Sequence, residues 1–105
     1  MLDFGDILRE RLAAAQERRP ELADVHWLSD DEILQIGPRE RAFITAYVAY
    51  AYARQRPDGR YPYCQLKIGL TRTPIHERVD ALLESFADAL LSGTAPTIAP
   101  GETLP

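Results

Sequence analysis

The five residues Arg56-Pro57-Asp58-Gly59-Arg60 constrain this chain more than any others. Proline presets φ, aspartate favours a turn, and glycine supplies a positive φ at no steric cost. On one side, Phe43, Ile44, Thr45, Tyr47, Val48, Tyr50 and Tyr52 are strand formers, although the alanines between them also permit a helix. On the other side, Tyr61 to Thr71 alternates, with Cys64, Leu66, Ile68 and Leu70 on one face and Tyr63, Gln65 and Lys67 on the other. The turn and the alternation together predict a long antiparallel hairpin over residues 43–56 and 61–71.

A three-residue loop with Gly59 as the bulge pairs Arg56 with Arg60. Counting outward, Tyr52 meets Cys64, Tyr50 meets Leu66, Val48 meets Ile68 and Ala46 meets Leu70. This register joins the two apolar faces into one, and a slip of one residue would break that agreement. The opposite face then collects Tyr47, Ala49, Ala51 and Ala53 with Tyr63, Gln65 and Lys67. The pattern designates Tyr47, Ala49, Ala51, Tyr63 and Lys67, with Arg54, Arg56 and Arg60 at the tip, as a candidate protein–protein interface. All five tyrosines (Tyr47, Tyr50, Tyr52, Tyr61 and Tyr63) fall in the hairpin, and Tyr and Arg are enriched in such interfaces.

The flanking segments complete an α+β arrangement. Phe4, Ile7, Leu8, Leu12 and Ala15 recur at helical spacing, with Asp3 as cap and Pro20 as stop, and predict a helix over 4–19. Val25-His26-Trp27-Leu28 reads as a short strand, and Ser29-Asp30-Asp31-Glu32 as a capping box opening a turn or two of helix to Ile36. After the hairpin, Thr73 is the expected cap and Pro74 the first residue of an amphipathic helix over 74–92. Ile75, Val79, Leu82, Leu83, Phe86 and Leu90 form its stripe, Asp80, Glu84 and Asp88 face outward, and Gly93 caps the end. Residues 1–93 are expected to form one domain, its core made by the Cys64–Leu70 face of the hairpin beneath the two helices. Residues 94–105, rich in Pro, Thr and Gly, are expected to be an extended tail, and order in it would point to a neighbouring subunit, since its own composition gives it little reason to fold.

Charge is distributed unevenly. The net charge is −4, yet residues 37–78 hold eight bases against three acids, while residues 79–105 hold four acids and no base. A few arginines at a hairpin tip do not make the strongly basic face of a nucleic-acid binder, so nucleic-acid contact is not favoured. The acidic start and the lack of a bilayer-length apolar run lead us to expect a protein that folds in the cytosol without membrane contact. No phosphate loop, nucleophile elbow or paired-carboxylate pattern is present, and His26 and His76 do not make a metal motif. Cys64 reads as a small buried hydrophobe. A non-enzymatic protein without cofactor or metal is therefore expected.

Three resemblances add to this reading. The order helix, short strand, long hairpin, amphipathic helix and extended tail, carried by Ala42–Gln55 and Tyr63–Gly93, resembles the tail-terminator and tail-completion proteins of long-tailed bacteriophages. That resemblance implies a virion structural protein, made in the host cytoplasm, that assembles as a homo-oligomeric ring and docks other virion or assembly proteins. Lys67-Ile68-Gly69-Leu70-Thr71, followed by Pro74 and Arg78, resembles the second strand and first helix of GIY-YIG-type nucleases, with Tyr47 or Tyr50 as the first-motif tyrosine. The later strand and the helix bearing a metal-binding glutamate have no counterpart here, so nuclease activity is not expected. Gly69-Leu70-Thr71-Arg72-Thr73-Pro74-Ile75 resembles the helix-turn-helix of GntR-type regulators. That alternative, a DNA-binding module using Thr71–Arg78, requires Tyr61–Leu66 to be helical.

Overall fold

The computed structural model describes residues 4–29, 47–68 and 72–104. Helix α1 runs Phe4–Arg18 and is followed by a 3-10 turn, Pro20–Leu22. Strands β1 (His26–Trp27), β2 (Tyr47–Tyr52) and β3 (Tyr61–Ile68) precede helix α2 (Ile75–Ser92), and strand β4 (Thr97–Ile98) completes the order. The strands form one antiparallel sheet in the order β1-β2-β3-β4, so the architecture is α+β. Among the described residues no helix is long and apolar enough to cross a membrane. The capping-box segment from Asp30 to Ile36 and the hairpin ends at 43–46 and 69–71 lie outside the described residues.

Both helices cover one face of the sheet. Leu8, Leu12 and Ala15 of α1 and Val79, Leu83, Phe86 and Ala87 of α2 pack on Ala51, Ala53, Cys64 and Leu66. Fully burying a side chain such as Leu83 or Val79 is worth about 1.5–3 kcal/mol before entropy is counted. The Trp27 indole N–H donates to the Leu8 carbonyl at 2.9 Å, and the Gln16 amide donates to the Leu22 and Val25 carbonyls, which ties α1 to the edge strand.

Helix α2 begins one residue later than its sequence signals indicate. Pro74 occupies the cap position with ψ 143° and has no side-chain cap bond to give, and Arg78 N–H reaches the Pro74 carbonyl at 3.3 Å. At the other end Gly93 adopts φ 70°, and the Thr94 amide returns to Ala89 at 3.0 Å, closing the helix as its glycine demands. Asp80, Glu84 and Asp88 line a seam along α1 instead of simply facing solvent. Arg11 grips Asp80 through two bonds of 2.7 and 2.8 Å, Arg18 meets Glu84, and Arg19 reaches Glu84 and Asp88 at 2.8 and 2.7 Å. These hydrogen bonds hold the Arg11 and Arg19 guanidinium groups charged above the usual arginine range.

The expected hairpin register is corrected by one residue. The turn itself forms as its residues dictate: the Gly59 amide donates to Arg56, the Arg56 amide to Arg60, and Gly59 has φ 86°. Beyond it, however, the Ala53 amide donates to the Pro62 carbonyl at 2.9 Å. Arg54 and Gln55 therefore stand opposite Tyr61 alone, a β-bulge. Pro62 has no amide hydrogen to complete the ladder there, and prolines within sheets sit beside such bulges. The resulting partners are Tyr52 with Tyr63, Ala51 with Cys64, Tyr50 with Gln65, Ala49 with Leu66, Val48 with Lys67 and Tyr47 with Ile68. The alanines of β2, not Val48, Tyr50 and Tyr52, share the helix-covered face with Cys64 and Leu66. Alanines leave room for two helices to approach the sheet, whereas tyrosines there would have to desolvate their hydroxyls.

Candidate interaction surface

The second face of the sheet carries the tyrosines. Tyr50 is buried there with Ile98 and Leu104, and Leu28, Val48, Tyr52, Tyr61 and Tyr63 pack around them. An aromatic stripe crosses three strands: His26 and Tyr52 have ring centroids 5.9 Å apart, and Tyr52 meets Tyr61 edge to face at 5.9 Å. The Tyr50 hydroxyl accepts a hydrogen bond from the Gln65 amide at 3.0 Å, which satisfies a polar atom on an otherwise buried ring.

Residues 94–104 lie on this face of the chain's own sheet. The Tyr63 amide donates to the Pro96 carbonyl at 3.0 Å, after which Thr97 pairs with Pro62 and Ile98 with Tyr61. Ala99-Pro100-Gly101-Glu102 then forms a turn, with Gly101 at φ 90° and the Glu102 amide on the Ala99 carbonyl at 3.1 Å. Proline and glycine at its two central positions are what a type II turn requires. The turn folds the chain back so that Leu104 reaches the tyrosine cluster, where it is 3% exposed, as is Ile98.

Arg60 fastens this segment. Its guanidinium donates to Thr97 Oγ1 at 2.7 Å, to the Thr97 carbonyl at 2.9 Å and to Glu102 Oε1 at 2.7 Å. That hydrogen bonding holds the Glu102 carboxyl below its ordinary pKa.

The predicted interface residues divide between the two faces. Ala51 is fully buried under the helices and Ala49 packs against the same core, so neither shares a face with Tyr63 and Lys67. Tyr63 is half-buried and Lys67 exposed on the tyrosine face. Tyr47 stands opposite Ile68 in the ladder. Each tip arginine meets an acid: Arg54 lies 3.6 Å from Asp24, Arg56 2.9 Å from Asp58, and Arg60 2.7 Å from Glu102. This pairing relieves the facing of Arg56 and Arg60 across the turn and offsets the local positive charge.

Sequence reasoning missed Thr97, Ile98, Glu102 and Leu104. Their signal was the pair of large aliphatic residues, Ile98 and Leu104, in an otherwise polar and Pro-rich stretch. Tyr61–Leu66 is strand, so the helix that the helix-turn-helix alternative needs is not formed. Cys64 is buried as expected, and desolvation pushes its thiol up to about 12. Among the described residues no group of three or more His, Cys, Asp or Glu side chains is gathered in a way that could hold a metal ion. Comparisons with protein-family models, with curated proteins and with solved structures find no match.

Proposed function

We propose that this chain is a non-enzymatic assembly protein that associates with copies of itself through the tyrosine face of its sheet. The observation that carries this reading is the mixed character of that face. Tyr52, Tyr61 and Tyr63 are half-buried and adjoin the exposed side chains of Gln65 and Lys67. Tyrosine is enriched at the centre of protein–protein contacts, and their rim is polar.

In its specific form the proposal is a ring subunit of a phage tail terminator or neck. That form is supported by the resemblance in element order, with a helix and short strand before the hairpin and an amphipathic helix after it. A ring needs two different patches on each subunit, because head-to-tail contacts close only by rotation.

Light scattering on this chain after size exclusion, from micromolar to near-millimolar concentration, tests the proposal. We expect a species of several subunits, visible as rings by negative-stain electron microscopy. A monomer throughout that range overturns it.

A further inference from the structure

We infer that residues 94–104 form an exchangeable strap, whose docking site on the sheet accepts the same segment from a second copy of this chain. The inference rests on the self-association proposed above and names the segment and the surface that carry it.

The strap is set apart from the main core. The cluster beneath the helices is built by buried residues from Leu8 to Ala87, and Ala95 alone of the strap packs at its margin. Ile98 and Leu104 belong instead to the tyrosine cluster on the opposite face. Withdrawing the strap therefore leaves the packing of α1, α2 and the inner sheet face in place.

What holds the strap is local and portable. Its ladder with β3 is two residues long, its apolar anchors are Ile98 and Leu104, and an ion pair joins its Glu102 to Arg60. These contacts join residues 96–104 to β3, to Arg60 just before it and to the tyrosine cluster, so the same set forms when the strap comes from another copy. The link from helix to strand is short: Gly93 at φ 70° is followed by Thr94, Ala95 and Pro96 before Thr97 enters the sheet. A short connection containing proline is the kind of hinge from which segments exchange between copies. A strap passed from each copy to the next is a head-to-tail contact, the kind a ring requires.

Charge-reversal complementation tests the exchange on the full chain. Arg60→Glu sets two carboxylates against each other at the strap contact, and Glu102→Arg sets two guanidinium groups there. Each variant alone therefore opposes strap docking within and between copies. Mixing them restores an opposite-charge pair at the contact, but only between different molecules. Both variants keep a net negative charge, which leaves no general attraction between them. Far-UV circular dichroism on each establishes that the fold is retained.

We expect each variant alone to be monomeric by light scattering and the equimolar mixture to form a complex, at least doubled in mass, that contains both chains. If wild type associates while the mixture stays monomeric, or if each variant alone associates as wild type does, strap exchange is overturned and self-association uses another surface. If wild type and mixture are both monomeric, the exchange and the self-association fall together.

Discussion

Ala51 lies directly across the β2–β3 ladder from Cys64, and both side chains are buried beneath the helices. The pairing follows from the bulge at Arg54 and Gln55, which advances β2 by one residue against β3 and turns its alanines inward. A bulky residue at Ala51 therefore has to displace α1 or α2. Ala51→Leu is expected to cost about 1–3 kcal/mol in urea unfolding. Lys67→Ala, on the open face, is expected to stay within about 0.5 kcal/mol. Equal, small effects at both positions would contradict the observed register.

Cys64 links that pairing to chemistry. Burial raises its thiol from 9.0 to about 12, so at pH 8 a thiol reagent should leave the native protein untouched and react once urea unfolds it. An acid that is harder to ionise in the fold stabilises the fold fully below its unfolded pKa. That contribution is lost as pH rises from about 9 towards 12. Cys64→Ala should lose less stability than wild type across that window, as read by unfolding at each pH.

Glu102 gives the opposite sign. Its carboxyl is held below the ordinary value of 4.5 by Arg60, so the pair stabilises the strap above that value. The contribution is lost as pH falls through the lowered folded value. Acidification below about 4.5 should therefore loosen Ile98 and Leu104 in wild type, measured by their methyl NMR shifts or by amide exchange. In Glu102→Gln the same signals should already be shifted at neutral pH and change less in acid.

The seam between the helices depends on salt. Arg19 serves Glu21, Glu84 and Asp88 at once, all near the surface. Arg19→Gln should lower Tm at low ionic strength, and the gap from wild type should narrow at about 1 M salt, where screening reaches about 3 Å. A gap independent of salt would mean that Arg19 acts through packing of its aliphatic stem.

Much of this fold is written locally. The spacing of Leu8, Leu12 and Ala15 makes α1, the stripe from Ile75 to Leu90 with Gly93 makes α2, and Pro57-Asp58-Gly59 makes the turn. Each is determined by the sequence alone because its hydrogen bonds and dihedral preferences close within a few residues. The faces of β2 were decided elsewhere. Alternation and turn chemistry favour Tyr50 beside Leu66, but two helices must lie close on the sheet, and only the alanine side of β2 is flat enough to admit them. The bulge beside Pro62 supplies the one-residue shift this requires. The strap was equally hidden: Ile98 and Leu104 gain their burial, and Glu102 its ion pair, only where the tyrosine face and Arg60 stand assembled. The hairpin was therefore legible as an element, while which of its faces lies beneath the helices was settled by tertiary packing, since burial is shared among segments distant in the chain.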